Sequence, residues 1–210
     1  HQRTQHTYRA SEARPKGTRV TATVHRLKVT LRSVKPPIWR RIEVASNVTL
    51  EELSDLLEGA MGWLGGHLHA FEVDGVTYER PDPDDGLLRG ANDENRHRLG
   101  GVLTEVGAKM RWDYDFGDGW RHNVVVEAIE PLTPSVEYPR CVAGRRACPP
   151  EDCGGPWGFH ELLEAFADPA HPRHEELTEW LPVNYNPEEF DPDEATDDMR
   201  APRPFADDVW

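Results

Sequence analysis

The alternation of apolar and polar residues predicts two strands near the start of the chain. Leu27, Val29 and Leu31 share one face of the first strand, and basic or polar residues occupy the other face. A Lys-Pro-Pro sequence ends this strand, and a second strand is predicted at 38–44, where Arg40 interrupts the apolar face. We expect the two strands to pair across the proline connection.

A helical pattern follows, and then a return to strands. Thr49 and Glu52 form a capping box, which satisfies the free amides at the start of a helix. The predicted helix has an apolar stripe that indicates packing on a sheet, formed by Leu53, Leu56, Leu57, Ala60 and Met61. A strand at 67–73 is predicted to place His67 and His69 on one face, and an Asp-Gly turn leads into a short strand at 76–78.

The strongest hairpin signal lies at 110–126, where aromatic-rich segments flank a glycine-bearing turn. With a three-residue Gly-Asp-Gly loop, Phe116 faces Trp120 and Tyr114 faces His122. A two-residue turn would mix apolar and charged partners, so we predict the three-residue loop. The predicted inward face carries Trp112, Tyr114, Phe116, Trp120 and His122, and the opposite face carries Asp113, Asp115 and Arg121.

The remaining pattern predicts an α+β fold in a single domain. Apolar spacing predicts helices at 159–166 and 174–181, whereas the chain from Asp191 is acidic and is expected to be loosely held. The polar segment 79–98 is predicted to be disordered or to act as a mobile lid. The expected sheet is mixed or mainly antiparallel, with one packed helix and the C-terminal helices beside it. The predicted limits are a flexible leader at 1–19, the domain at 20–195 and an acidic tail at 196–210.

Composition suits a soluble globular protein, with 37% hydrophobic and 30% charged residues. No apolar run approaches the roughly 18 residues of a membrane helix, and no signal-peptide pattern is visible. We therefore expect a cytoplasmic protein with no membrane partner.

The net charge of −14 is unevenly distributed along the chain. Residues 1–41 carry eleven Lys/Arg and one acid, whereas 42–210 carry 13 Lys/Arg and 37 acids. A basic arm of this kind can contact nucleic acid, and a protein partner is the other option. The simpler interpretation is a solvated strand face with a flexible leader. The acidic remainder repels phosphate, so nucleic acid is not expected to coat the whole protein.

Three cysteines, Cys141, Cys148 and Cys153, lie within thirteen residues. An odd number without an export signal argues against a disulfide framework. Together with His122 or His160 the three thiols offer a Cys3His ligand set for zinc, although the Cys-x-x-Cys spacing is missing. Alternatively, the cysteines are small buried residues of a tight loop.

A second candidate site uses histidines beside the hairpin. His67, His69 and His122, with Asp113 or Asp115 nearby, can share a metal or provide acid–base chemistry. Apolar neighbours favour the alternative that these histidines are structural. The catalytic candidates are His67, His69, Asp115 and His122.

A third candidate is the acidic pair Glu151 and Asp152 before Gly154-Gly155. The pair can bind a cation, but capping of a turn or helix is favoured.

Three motifs occur together in this chain: His67-Leu68-His69, the segment Tyr-Asp-Phe-Gly-Asp-Gly-Trp-Arg-His at 114–122, and Cys-Pro-Pro-Glu-Asp-Cys-Gly-Gly-Pro-Trp-Gly at 148–158. The constellation resembles the plasmid pRiA4b ORF-3-like family over residues 24–195. The resemblance implies a single α+β domain in a plasmid or mobile-element setting, since some members are labelled as passenger proteins of insertion elements. It implies no particular reaction, and the sequence contains neither a serine-nucleophile region nor a helix-turn-helix pattern that would fit a resolvase.

We therefore expect a non-enzymatic binding or interaction module, with an optional structural metal such as zinc. The alternative is a small metal-dependent hydrolase-like enzyme that uses histidines and carboxylates beside the hairpin. A catalytic metal keeps an open coordination position, whereas a structural metal is enclosed by protein ligands, so the two classes are distinguishable.

Overall fold

One eight-stranded sheet forms the frame of the computed structural model, which describes residues 22–81, 90–179, 181–182 and 184–202. In chain order the strands are β1 (Thr23–Leu31), β2 (Trp39–Ala45), β3 (His69–Val73), β4 (Val76–Glu79), β5 (Asn92–Asp93), β6 (Lys109–Tyr114), β7 (Trp120–Pro131) and β8 (Arg140–Arg145). Their spatial order is β5-β4-β3-β6-β7-β1-β2-β8. The β4–β5 pair is parallel and the other pairs are antiparallel, so the predicted α+β class with a mixed, mainly antiparallel sheet is confirmed.

The helices of the described residues are α1 (Leu50–Met61), α2 (Leu99–Val102), α3 (Gly155–Ala167), α4 (His174–Glu179) and α5 (Pro192–Arg200). The predicted capping box of α1 is confirmed, because Glu52 N donates to Thr49 Oγ1 at 3.1 Å and Thr49 N donates to Glu52 Oε2 at 2.7 Å. The apolar stripe of α1 is buried against the sheet, with Leu53 and Leu57 fully covered. No helix in these parts of the chain is long and apolar enough to cross a membrane.

The first two strands pair antiparallel, as their alternation predicts. Leu27 and Val29 of β1 and Ile42 and Val44 of β2 lie in the core, which leaves the residues between them on the opposite face. Arg40 shares the inner face with Ile42 and Val44, and it is a charged residue buried among apolar ones.

The hairpin loop between β6 and β7 runs over 115–119, so the predicted three-residue loop is wrong. Tyr114 pairs with Trp120 and Trp112 pairs with His122, a register that differs by two residues from the predicted one. Because a shift by two keeps each side chain on its face, these four residues are buried as predicted.

Phe116 is the residue for which the hairpin prediction fails. It was expected on the inward face, but it is 56% exposed. Asp115 closes the turn early, because its Oδ1 accepts from Gly117 N at 2.9 Å and from Asp118 N at 3.3 Å. This local side-chain turn removes Phe116 from the strand.

Two segments expected to lack structure are ordered where they are described. The expectation that 79–98 lacks structure is wrong at both ends of this segment. At its start, Glu79 belongs to β4, and near its end β5 is followed by a 3-10 turn at Glu94–Arg96, in which Glu94 is buried. Residues 82–89 lie outside the described residues.

The expectation of a loosely held chain after Asp191 is wrong for residues 192–200, which form the helix α5. Asp191 caps α5 by accepting from Asp193 N at 2.7 Å, and Ala195 and Met199 of this helix are buried. The helix α5 therefore runs across the expected domain limit at 195. The leader at 1–19 and the last residues, 203–210, lie outside the described residues.

Candidate functional site

Three loops meet beside the hairpin, and hydrogen bonds connect them. They are the α1–β3 connection at 62–68, the hairpin loop at 115–119 and the segment at 146–154 that precedes α3. Asp115 N donates to Leu68 O at 2.9 Å, and Gly154 N donates to Asp118 Oδ2 at 3.3 Å. We term the surface that these loops share the three-loop site.

Each loop contributes one possible metal ligand to this site. His67 Nδ1 lies 3.7 Å from Asp115 Oδ2, and His67 Nε2 lies 3.8 Å from Asp152 Oδ1. One ligand atom from each of the three residues lies within 4.8 Å of the others, and no other set of three His, Cys, Asp or Glu among the described residues meets this criterion. The arrangement brings one imidazole and two carboxylates together from positions far apart in the sequence.

The local structure of the hairpin loop determines how Asp115 is presented. Its backbone φ is +52°, a conformation that costs free energy for a residue with a side chain. Because Oδ1 accepts the loop amides, Oδ2 is the oxygen that faces His67. Asp115 is 8% exposed, so its carboxylate is held in one position at the edge of the core.

Asp152 differs from Asp115 because its side chain is 80% exposed. The segment that carries it packs closely on its neighbours at two glycines. A Cβ at Gly155 would lie 2.2 Å from Asp118 O, and one at Gly158 would lie 1.9 Å from Cys153 O. Only residues without a side chain allow these approaches.

Tyr114 lies beneath the site and connects it to the core. Its ring stacks on Trp63 at 4.9 Å between centroids and meets the His67 ring edge-on at 5.7 Å. Its hydroxyl donates to Glu151 Oε1 at 3.0 Å, and Leu64 N donates to the other oxygen of the same carboxylate at 3.1 Å. Burial, together with nearby carboxylates, raises the pKa of Tyr114, so the phenol remains a neutral hydrogen-bond donor.

Large exposed apolar side chains occur on the loops that carry the possible ligands and at the start of α3. Leu64 and Leu68 are 60% and 64% exposed, Phe116 is 56% exposed and Trp157, at the start of α3, is 86% exposed. Exposed apolar side chains concentrated on adjacent loops are typical of a surface that binds a ligand or partner.

The structure separates the other candidate histidines from His67. The predicted strand at 67–73 begins at His69, whose Nε2 lies 2.8 Å from Glu94 Oε2 in a buried pair. His122 is fully buried among aromatic rings, where Nδ1 is 3.2 Å from Trp112 O and Nε2 has no partner among the described residues. Burial lowers the pKa of His122 to about 3, so the imidazole is neutral.

The structure does not bring the predicted Cys3His ligand set together. No three of the atoms offered by Cys141, Cys148, Cys153 and His122 meet the 4.8 Å criterion. Cys148 Sγ instead accepts from Arg40 Nη2 at 3.0 Å. Burial raises the pKa of Cys148 to about 11, so this thiol stays protonated.

Two further residues named from the sequence also lie elsewhere. His160 is exposed on α3 and its Nε2 lies 3.3 Å from Glu164 Oε1, while Asp113 accepts from Arg111 Nε on the outer side of β6. Sequence reasoning treated Asp152 as a cap and did not connect it with His67. The position of Asp152 in the motif at 148–158 is the sequence signal that could have identified it as a site residue.

The chain is thus an α+β protein in which a hairpin loop and a cysteine-containing segment flank a His-Asp-Asp group. The family model described as plasmid pRiA4b ORF-3-like protein matches residues 23–194, and the chain belongs to this family. The resemblance inferred from the motifs is therefore confirmed.

Two known proteins are similar to this chain. The chain is 43% identical over 162 residues to the uncharacterized protein y4hQ of Sinorhizobium fredii (strain NGR234), which covers 77% of this chain and 82% of that protein. It is also similar to the crystal structure of the protein of unknown function MM3350 from Methanosarcina mazei Go1. That similarity has a TM-score of 0.75 and 34% identity, and it covers 83% of this chain and 98% of the other.

Proposed function

We propose that the chain is a binding module whose three-loop site holds one divalent metal ion through His67, Asp115 and Asp152. The observation that supports this proposal is the approach of three ligand atoms from three separate loops to within 4.8 Å of one another. One imidazole and two carboxylates suit zinc, manganese and related ions that accept nitrogen and oxygen ligands. Zinc at the cysteines is not part of this proposal, because the thiols do not converge.

The ligand of the proposed module completes the coordination of the metal. Three protein ligands leave at least one position of a tetrahedral ion open, and the exposed Asp152 lies on the solvent side. The exposed rings of Phe116 and Trp157 favour a ligand with an oxygen or nitrogen donor beside an apolar part. The family description, which names a plasmid, supports a setting in plasmid biology.

The second candidate function is a metal-dependent hydrolase-like enzyme. The open coordination position favours it, since catalytic metals keep such a position for water or substrate. The neutral phenol of Tyr114 lies next to His67 and is a hydrogen-bond donor, but it already donates to Glu151. We rank this candidate second because the other carboxylates of the three loops already accept hydrogen bonds, Glu151 from Tyr114 Oη and Leu64 N and Asp118 from Gly154 N.

Isothermal titration of the tag-free full chain with zinc and with manganese tests the metal site. We expect one ion per chain in the wild type and at least a ten-fold weaker Kd in His67→Gln and in Asp152→Asn. Asp152 is the sharper probe because its exposed side chain has no structural role in the fold. His160→Gln is the matched control, since His160 also lies beside a carboxylate, and its affinity should equal that of the wild type.

The proposal is wrong if no ion binds, or if binding survives both site variants and is lost in Cys148→Ser. Benzohydroxamate, which joins two oxygen donors to a phenyl ring, then tests the module. We expect it to bind only the metal-loaded chain and to bind about ten-fold more weakly in Trp157→Ala. Metal-dependent turnover of phosphodiester or ester substrates that is lost in His67→Gln would favour the enzyme instead.

A further inference from the structure

Basic side chains lie in rows on the sheet face opposite the core. The adjacent rows, formed by directly paired residues of β1, β2 and β8, are Arg26–Glu43–Arg140, Lys28–Arg41–Ala143 and Thr30–Trp39–Arg145. The alternate residues of β1 and β2, such as Leu27 and Ile42, are buried in the core, so these rows lie on the outer side. We term Arg26, Lys28, Trp39, Arg41, Arg140 and Arg145 the basic sheet face.

The middle row contains a like-charge pair. Lys28 and Arg41 are direct cross-strand neighbours, an arrangement that destabilises a sheet. Both cations lie near the ring of Trp39, at 5.3 Å and 5.2 Å from its centroid. No carboxylate of the described residues lies within ion-pairing distance of Lys28. Glu127 ion-pairs with Arg41, so the middle row holds two cations against one carboxylate. An excess of like charge that the fold does not require is typical of a functional surface.

The carboxylates of this surface orient its arginines. Glu43, whose side chain is 5% exposed, accepts from Arg26 Nε at 2.9 Å and from Arg140 Nε at 2.7 Å. Glu127 accepts from Arg41 Nη2 at 2.9 Å. Each of the three arginine side chains nevertheless remains about a third exposed. The guanidinium planes are therefore fixed in place before any ligand arrives, which reduces the entropy cost of binding.

The same arginines line an open groove of about 500 Å³. The six residues of the basic sheet face contribute five positive charges, against three carboxylates that ion-pair with its arginines, Glu43, Glu127 and Glu130. This surplus contrasts with the net charge of −14 for the whole chain. A positive area on an acidic protein directs polyanions to that area alone.

We propose that the basic sheet face binds single-stranded nucleic acid, with Trp39 stacking on a base and the surrounding cations contacting phosphates. A flat sheet surface that combines an aromatic ring with guanidinium planes matches unstacked bases and a flexible backbone. A duplex keeps its bases stacked, and so it cannot use the Trp39 ring. This inference does not depend on the metal site.

Fluorescence anisotropy of the full chain with a labelled single-stranded oligonucleotide of mixed sequence tests the proposal. We expect Trp39→Leu to weaken binding about ten-fold and Trp39→Phe to retain most of the affinity, because phenylalanine still stacks. Lys28→Gln and Arg41→Gln should each reduce the slope of log affinity against log salt by about 0.7, the value for one phosphate contact on a single strand.

Stability measurements on the same variants separate binding from folding. Lys28→Gln should leave the thermal midpoint unchanged or raise it, because the substitution removes a like-charge pair. Arg173→Gln is the matched control for Arg41→Gln, since Arg173 is also paired with glutamates but lies beside α3 and α4. Its affinity for the oligonucleotide should equal that of the wild type.

Several outcomes overturn the proposal. Affinity that is unchanged in Trp39→Leu and Lys28→Gln would assign the binding to another part of the chain, such as the basic sequence before β1. Equal affinity for a duplex of the same length would show that stacking of a base on Trp39 does not contribute to binding. Binding of a poly-glutamate peptide with the same sensitivity to Trp39→Leu would indicate an acidic protein partner instead.

Discussion

Arg40 illustrates how a charged residue within an apolar pattern can be structural. It is 2% exposed, and its Nε donates to Ala60 O at 2.9 Å in the last turn of α1. Its Nη1 donates to Trp39 O at 2.9 Å, and its guanidinium group lies over the ring of Phe190 at 4.0 Å. The last turn of α1 has no basic residue of its own, so Arg40 supplies the positive charge that a helix C-terminus favours.

We predict that Arg40→Lys lowers the free energy of unfolding by about 2 kcal/mol. Lysine keeps the charge but cannot reproduce the fork that reaches several acceptors, and so buried carbonyls lose their donors. Urea unfolding followed by circular dichroism measures the difference. Arg173→Lys, on an exposed ion pair, should leave the midpoint unchanged. An Arg40→Lys protein as stable as the wild type would show that the fork is dispensable.

At the level of elements, the start of α3 packs against the hairpin loop at Gly155, and Gly158 packs against Cys153 of the preceding segment. Gly155 has a φ of +69°, and a Cβ there would lie 2.2 Å from the backbone oxygen of Asp118. Backbone on both sides of this approach cannot move without displacing the hairpin loop. The close approach at Gly155 therefore sets how near the segment that carries Asp152 lies to the hairpin loop that carries Asp115.

We predict that Gly155→Ala lowers the free energy of unfolding by about 2 kcal/mol, because it adds a clash to an unfavourable φ. The same substitution should weaken metal binding by more than ten-fold, since Asp152 moves away from His67. Gly101→Ala is the control, because a Cβ at Gly101 meets nothing within 4 Å. Thermal unfolding and metal titration of both variants measure these effects. Equal metal affinity in Gly155→Ala and the wild type would show that Gly155 does not position the residues of the metal site.

The elements that could be predicted from the sequence are those in which one face is apolar. The strands β1 and β2, the helix α1 and the identity of the buried hairpin face all follow from periodicity. The hairpin register could not be predicted, because a side chain, that of Asp115, closes the turn. The helix α5 was missed because only a few of its residues are buried and its most informative signal is the cap at Asp191.

The candidate site could be predicted only in part. The motifs included His67, Asp115 and Asp152, but the sequence could not show that these three residues meet. Their proximity depends on the pairing of β3 with β6 and on close packing at glycines, both of which join distant parts of the chain. The sequence favoured capping for Asp152 and offered the cysteines as metal ligands, whereas in the structure the thiols do not converge and Cys148 accepts from Arg40.

At the level of the whole molecule, an aromatic cluster lies where the sheet, α1 and the three-loop site meet. Trp63 contacts Trp112, Tyr114, Trp120 and His122 with ring centroids 4.9 to 6.2 Å apart. His122 is the basic residue of this cluster, and burial keeps it neutral by lowering its pKa from 6.5 to about 3. Protonation of this imidazole therefore requires the core to open.

The stability of the molecule should consequently fall in mild acid. Above pH 6.5 His122 is neutral in both the folded and the unfolded chain, so it contributes no pH dependence. Between pH 6.5 and about 3 the unfolded chain binds a proton that the folded chain excludes, at a cost of about 1.4 kcal/mol per pH unit. The lowered pKa values of Glu43 and Glu127 act only below pH 4.5.

We predict that His122→Phe flattens the dependence of the urea midpoint on pH between 6.5 and 5. Phenylalanine retains an aromatic ring in the cluster but binds no proton, whatever its effect on the midpoint at neutral pH. Burial also lowers the pKa of His25, so a smaller slope should persist in the variant. His160→Gln, at an exposed position, should leave the slope of the wild type unchanged. An equal slope in His122→Phe and the wild type would place the acid sensitivity of the fold elsewhere, with His25 as the next residue to replace.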